Sequence, residues 1–278
     1  MRIDAHQHFW DVDRFEYAWM PPEPSPLRQS FLPDLLHRIL KRSRFEGTIL
    51  VQANTLPAET RWLLELAEAH AFIRGVVGWV DLTDPRLGAV LDELQKRPKF
   101  VGVRHPVQDE PDDNWLVRED VLGGLAELAR RGLPYDLLLR PRHLPLVPRV
   151  AARVPDLRMV IDHIAKPAIA AGVMDPWARD IERAAFLPQV YCKLSGMITE
   201  ADPVNWKADD LRPYVAHVLR VFGPDRLMFG SDWPVCTTAG TWKQVLAAFT
   251  QAIGPQPIEI REKLLGGTAA RFYGIETA

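Results

Sequence analysis

Short apolar segments alternate with amphipathic ones along this chain of 278 residues. The apolar segments are rich in β-branched residues and predict strands. The stretches between them carry apolar residues at the spacing of one helix face, as AETRWLLELAEAHA and EDVLGGLAELARRG illustrate. Eight predicted strands share the pattern: IDAHQH, GTILVQA, GVVGWVD, KFVGVRH, PYDLLLR, RMVIDH, VYCKLSG and RLMFGSD.

Strands that alternate with helices predict a parallel sheet, and eight such units fit an α/β fold of the TIM-like (β/α)8-barrel type, which takes about 250 residues. No linker or shift in composition divides the chain, so a single domain over 1–278 is expected. A doubly wound open sheet is the alternative, and it is disfavoured because no glycine-rich phosphate loop follows the first strand. Asp84-Pro85 and Asp175-Pro176 predict helix starts, and Gly132 predicts a helix end.

Charge and composition narrow the classes of function. The net charge is −2 and no long run of one sign occurs, which argues against a nucleic-acid partner. No segment approaches the roughly 20 apolar residues of a membrane span, and Asp4 and His6 interrupt any signal peptide. Two cysteines, Cys192 and Cys236, are too few for a disulfide framework, so a reducing cytoplasm is expected. A small-molecule substrate fits best, and a homo-oligomer stays open.

Catalytic groups of a (β/α)8 barrel lie at the C-terminal ends of its strands. Polar side chains stand there in six of the eight predicted strands. Taken singly, an arginine at a strand end usually meets solvent, and a lone histidine usually makes a structural hydrogen bond. Their convergence on one rim favours an active site that includes His6, His8, Arg104, His105, Arg140, His163, Ser195 and Asp232.

The two histidines of the first strand are one residue apart, so in a regular strand they share a face. Two imidazoles that project together can chelate a divalent metal ion or donate hydrogen bonds to a substrate oxygen. If His6 and His8 point into the barrel, the same alternation turns Asp4 inward and leaves Ile3 and Ala5 against the helices.

The same alternation places a lysine inside the barrel. Lys193 is expected to point inward, where it needs a carboxylate partner, and Asp4 or Asp232 can supply one. On the sixth strand, His163 is expected to share its face with Ile161.

The segments DAHQHFW, GVRHPVQ, VIDHIAKP, YCKLSG and GSDWPV resemble the amidohydrolase superfamily over nearly the whole chain. More narrowly, they resemble its amidohydrolase-related branch of sugar lactonases, which includes hydrolases of L-fuconolactone, L-rhamnonolactone and 2-pyrone-4,6-dicarboxylate. The resemblance implies a hydrolase of carboxylic esters that opens a sugar-acid lactone. A zinc-dependent decarboxylase or amide hydrolase on the same barrel, and a barrel that only binds, are the alternatives.

The resemblance also implies roles for four residues. Asp232 matches the aspartate that activates the hydrolytic water, His6 and His8 match the first-strand pair, and His163 matches a middle-strand histidine. A second middle-strand histidine and a bridging ligand are missing, so we expect at most one divalent ion, such as Zn²⁺, on these four residues. The lactonase branch implies that no metal is required.

Further residues are candidates for substrate contact. Guanidinium groups grip hydroxyl or carboxylate oxygens in bidentate fashion, and indole rings can stack on a sugar. Trp79 and Trp115 are candidates for such stacking, although packing explains them equally well. The predicted substrate-binding set is Arg104, His105, Gln108, Arg140, Lys193, Ser195 and Trp10.

Overall fold

In a computed structural model of the chain, which describes residues 1–276, eight parallel strands form one sheet in sequence order. All eight predicted strands are present. That residues 1–278 form one domain stays a prediction, since positions 277 and 278 lie outside the described residues. The strands are β1 Ile3–Gln7, β2 Gly47–Val51, β3 Ile73–Gly78, β4 Phe100–His105, β5 Tyr135–Leu137, β6 Met159–Ile161, β7 Val190–Leu194 and β8 Leu227–Phe229.

The sheet closes where the end of β1 meets the segment that follows β8. The Asp232 N–H donates to the His6 carbonyl at 2.8 Å, and the His8 N–H donates to the Trp233 carbonyl at 2.7 Å. These bonds confirm the predicted (β/α)8 barrel. They also set the register of the seam, so that the aspartate of the last strand end lies beside the histidines of the first.

Helices follow the strands and cover the outside of the barrel with their apolar faces. Each helix within residues 1–276 is too short or too polar to cross a bilayer. The helices are α1 Pro33–Arg42, α2 Pro57–Ala69, α3 Leu87–Leu94, α4 Glu119–Arg130, α5 Val147–Arg153, α6 Trp177–Ala185, α7 Ala208–Phe222, α8 Trp242–Ile253, α9 Ile258–Glu262 and α10 Thr268–Tyr273.

The predicted helix end at Gly132 is confirmed, whereas the two predicted helix starts are shifted. Gly132 has a φ of 69° directly after α4, the left-handed conformation that suits glycine at a helix end. The helices after the two Asp-Pro pairs begin later than predicted, α3 at Leu87 and α6 at Trp177. Asp84 instead accepts a hydrogen bond from the Arg86 N–H at 2.7 Å, which forms a turn ahead of the helix.

A β-bulge in the first strand overturns the predicted alternation of its side chains. Pairing with β2 shifts by one residue between Asp4 and Gln7. Ile3 and Ala5 therefore pack in the barrel interior, and the Asp4 carboxylate faces outward and accepts a hydrogen bond from Trp242 Nε1 at 2.8 Å. The extra residue lets the strand turn its histidines into the site without carrying Asp4 along.

The sixth strand departs from the prediction in a similar way. Val160, rather than Ile161, packs with the interior cluster, so regular alternation would turn His163 outward. The backbone is left-handed from His163 to Lys166, with φ values of 48° to 59°, and this turn carries the imidazole over the rim. Non-glycine residues rarely adopt that conformation, and such strain concentrates at functional sites.

Candidate active site

Four buried side chains converge at the C-terminal rim of the barrel. The Nε2 atoms of His8, His6 and His163 lie 3.4, 3.8 and 3.9 Å from Asp232 Oδ1. His6 Nε2 and His8 Nε2 are 3.2 Å apart. The structure thus brings together the four residues that the sequence predicted as catalytic.

Hydrogen bonds on the far side of each ring orient His8 and His163. His8 Nδ1 donates to the Val51 carbonyl at 2.8 Å, which leaves the Nε2 lone pair free to face the site. His163 Nδ1 lies 2.8 Å from Ser195 Oγ. Gly196, with a φ of 60°, packs against the same ring, and a Cβ there would lie only 2.5 Å from His163 Nδ1.

His6 forms the floor of the site and rests on charged groups. Its Nε2 accepts a hydrogen bond from Arg104 Nη1 at 3.2 Å. Its Nδ1 lies 3.1 Å from Lys193 Nζ and 3.3 Å from Asp162 Oδ1. Arg104 and Lys193 can only donate hydrogen bonds, and Asp162 as a carboxylate can only accept them, so the ring lies between two cations and one carboxylate.

Beneath His6 lies a closed network of buried charges. Lys193 Nζ lies 2.5 Å from Asp136 Oδ2 and 3.0 Å from Asp162 Oδ1, and the Tyr273 hydroxyl from α10 donates to Asp136 at 2.8 Å. Lys193 does point inward, as predicted, but its partners are not Asp4 or Asp232. Charged residues inside the apolar segments PYDLLLR and RMVIDH were the signal for these partners, because a buried carboxylate needs a counter-charge.

Burial and mutual contact set the protonation states of the converging groups. Burial lowers the pKa of His163 to about 4, and it lowers the pKa values of His6 and His8 below the ordinary value. Burial alone would raise the pKa of Asp232, but the adjacent imidazoles, His163 first, hold it below its usual range. At neutral pH the site therefore presents one carboxylate among three neutral imidazoles.

A cavity of about 970 Å³ opens above this cluster. Of the predicted substrate-binding residues, four line it: Arg104, His105, Gln108 and Arg140. Trp10, Lys193 and Ser195 are at most 1% exposed and lie one layer below. Their contact with substrate stays a prediction, and in the structure their polar atoms are directed to protein groups such as the Leu27 carbonyl, Asp136 and His163.

Other lining residues had no signal in the sequence. Gln52 accepts from Arg104 and fixes its guanidinium, which also pairs with Asp162 at 3.2 Å. Trp19 is 41% exposed and offers the cavity an indole face, whereas the predicted Trp115 is buried behind His105. Trp79 lines the cavity, as expected. Two ionisable side chains from loops, Glu110 and Lys166, also belong to this group.

Comparison with known proteins identifies the family to which this chain belongs. A family model for amidohydrolases matches residues 3–275. The chain belongs to the amidohydrolase family. Among the relatives of this amidohydrolase, the L-fucono-1,5-lactonases of Burkholderia ambifaria and Burkholderia multivorans are each 39% identical to it, with 99% of this chain and 96% of each relative covered. The resemblance predicted from the sequence motifs and the assignment as a hydrolase are confirmed.

A solved structure of an amidohydrolase from Burkholderia multivorans with bound zinc has a TM-score of 0.92 to this amidohydrolase. It is 38% identical, and the match covers 99% of this chain and 100% of that one. A tetrahedral zinc ion holds its ligand atoms about 3.4 Å apart. His6 Nε2, His8 Nε2 and Asp232 Oδ1 lie 3.2, 3.4 and 3.8 Å from one another and so fit one divalent ion. His163 Nε2 lies 3.9 Å from Asp232 Oδ1, but it is not part of this group of mutually close donors. Arg104 competes for the His6 lone pair.

A second ion finds no comparable site among residues 1–276. The other group of adjacent donors combines His6 and His163 with Asp162 and so shares the His6 imidazole with the first group. Asp162 is already paired with Lys193 and Arg104, and these two fixed cations repel a metal ion.

Proposed function

We propose that this amidohydrolase hydrolyses the lactone of a sugar acid, an aldonolactone, by attack of water at the ester carbonyl. One observation carries the proposal: the Asp232 carboxylate faces a cavity of about 970 Å³ and lies beside three imidazoles and a fixed guanidinium. The full-length relatives named as L-fucono-1,5-lactonases support the choice of a lactone over the amide or carboxylate substrates of the alternative predicted from the sequence.

Asp232 is the general base of the proposed reaction. Its carboxylate takes a proton from water as the water oxygen bonds to the carbonyl carbon. The negative charge that develops on the carbonyl oxygen meets the guanidinium of Arg104, which is fixed before the reaction by Asp162 and Gln52. The bond from the carbonyl carbon to the ring oxygen then breaks, and the proton on Asp232 passes to that oxygen. The product is the open hydroxy acid.

The role of a metal ion follows from the chemistry of lactones. His6, His8 and Asp232 would hold the ion, with His163 as a further ligand if its ring moved closer, and the bound ion would polarise a carbonyl oxygen. Lactones are activated esters, so the weaker electrophilic assistance of Arg104 suffices. We therefore propose that at most one divalent ion binds and that ring opening does not depend on it.

A panel of five- and six-membered aldonolactones, assayed with and without chelator, tests the proposed function. Ring opening is followed as acid release, with the uncatalysed rate subtracted. We expect turnover of at least one aldonolactone, unchanged after chelation, and elemental analysis that finds no more than one equivalent of metal. Complete loss on chelation that zinc restores, or two equivalents of metal, would contradict the metal-independent mechanism and favour a metallohydrolase.

The pH dependence of kcat/KM tests the protonation states. Asp232 acts as a carboxylate and its pKa is held low, and His163, with a pKa of about 4, must stay neutral to leave that carboxylate basic. We expect kcat/KM to hold its neutral value down to about pH 5 and to fall through about pH 4, with circular dichroism as the control for folding. An acid limb centred at 6.5, the ordinary histidine value, would contradict this assignment.

A further inference from the structure

A second arrangement of polar groups, outside the four converging residues, lines the cavity. Trp79 Nε1 donates to His105 Nδ1 at 3.0 Å, and His105 Nε2 lies 2.7 Å from Glu110 Oε1. An indole N–H can only donate, so it makes His105 Nδ1 an acceptor and places the proton on Nε2. His105 therefore donates to the Glu110 carboxylate, and the three residues form one directed series.

The middle of this series is held rigidly. The His105 ring stacks on Trp115 with centroids 4.1 Å apart and planes 10° from parallel. Burial lowers the pKa of His105 below its ordinary value, so the ring is neutral at pH 7. It thus fixes the position of the carboxylate and leaves the negative charge of Glu110 in place.

The carboxylate at the end of the series is open to the cavity. The Glu110 side chain is 26% exposed, and Oε1 is the atom that His105 holds. Among residues 1–276, Oε2 makes no hydrogen bond to another side chain or to the backbone. An ionised carboxylate accepts hydrogen bonds and cannot donate them, so a pre-positioned Oε2 is complementary to hydroxyl groups.

We propose that Glu110 determines substrate specificity by accepting hydrogen bonds from substrate hydroxyl groups, and that the enzyme therefore selects neutral polyhydroxylated lactones over lactones that carry a carboxylate. This inference rests on the proposed lactonase function and deepens it. Three cations also line the cavity, but Arg104 is paired with Asp162, and Lys166 lies 3.9 Å from Glu200. Arg140 remains available for the hydroxyl groups or for the carboxylate of the product.

The experiment compares Glu110→Gln with the wild type on three substrates: a polyhydroxylated aldonolactone, δ-valerolactone, which has no hydroxyl groups, and a lactone that bears a carboxylate. Since a hydrogen bond to a charged group contributes about one to two powers of ten, we expect kcat/KM for the aldonolactone to fall by about 10- to 100-fold. Activity on δ-valerolactone should stay within about twofold, and activity on the carboxylated lactone should rise.

Two further variants separate a specific role from general effects. Asp109→Asn removes one negative charge from the neighbouring position, which also lines the cavity, and should leave the preference for hydroxylated substrates intact. Trp79→Phe keeps an aromatic ring but removes the donor to His105, and should weaken the same preference less than Glu110→Gln does. Thermal melting of each variant checks that it folds.

The outcomes distinguish the two proposals. If the wild type opens no lactone, the proposed function fails. If it opens lactones and Glu110→Gln retains the full preference for the hydroxylated substrate, only the inference about Glu110 is overturned. Equal losses on the aldonolactone and on δ-valerolactone would also overturn it, because they would place Glu110 in the chemical step or in the fold rather than in hydroxyl recognition.

Discussion

Replacing Asp232 with asparagine is expected to lower kcat by about 10²- to 10⁴-fold, the usual contribution of an acid–base group. The carboxamide cannot accept the proton of the attacking water. The rest of the site should survive, because Asp232 has a left-handed backbone with a φ of 56°, which asparagine tolerates among non-glycine residues. The N–H that donates to the His6 carbonyl is also retained.

Steady-state kinetics on the best aldonolactone gives the result, and two controls accompany it. Calorimetric titration shows whether the variant still binds the lactone, and thermal melting shows whether it folds. Turnover within about tenfold of the wild type would mean that another group activates water. Loss of binding together with turnover would instead make Asp232 a residue that positions the substrate.

Lys193→Met is expected to destabilise the barrel strongly. Lys193 is fully buried between Asp136 and Asp162, and methionine fills a similar volume without the charge. Two carboxylates then remain in the interior with one counter-ion fewer, and breaking a buried pair in this way lowers the free energy of unfolding by about 3–5 kcal/mol. Urea denaturation of the variant and of the wild type measures the change.

Two companion variants test the physical reason. Lys193→Met combined with Asp136→Asn should regain part of the loss, because one of the orphaned carboxylates becomes neutral. Burial already raises the pKa of Asp136 to about 6, so near neutral pH little free energy is needed to make this carboxyl group neutral. Lys166→Met removes a lysine from a partly exposed ion pair at the cavity wall, and should cost less than about 1 kcal/mol. Equal losses for Lys193→Met and Lys166→Met would contradict the buried-charge explanation.

The barrel could be predicted because its strands are short, apolar and separated by amphipathic helices, and each of these properties is local in sequence. The location of the candidate site could be predicted from the same pattern, because the C-terminal ends of parallel strands lie at one edge of the sheet. His6, His8, His163 and Asp232 were therefore predicted together, and the structure brings their polar atoms within hydrogen-bonding or ionic distance.

Side-chain direction near the rim was harder to predict, because it depends on irregular backbone. Two irregularities turn side chains to the face opposite the one that regular alternation predicts: the bulge between Asp4 and Gln7, and the left-handed turn that begins at His163. Neither contains a glycine or proline that would mark it in the sequence. The partners of Lys193 come from β5 and from the end of β6. Choosing Asp136 and Asp162 over Asp4 and Asp232 requires the three-dimensional arrangement.

Glu110 shows a further limit of sequence analysis. It lies in the acidic segment DEPDD, where any one carboxylate looks like a solvated surface group. Only the contact with His105, itself held by Trp79 and Trp115, distinguishes it from its neighbours. A single-sequence pattern cannot supply that distinction, because the residues that support Glu110 come from separate strands and loops.

A single-turnover reaction in H₂¹⁸O, with enzyme in excess over an aldonolactone, tests the central claim most directly. If Asp232 activates water for attack on the carbonyl, mass spectrometry will find one ¹⁸O in the carboxylate of the hydroxy acid from the first turnover, and none in Asp232. Label that enters the Asp232 carboxylate while the first product stays unlabelled would show that Asp232 is a nucleophile. Label in the released hydroxyl group would show that the attack is not at the carbonyl carbon.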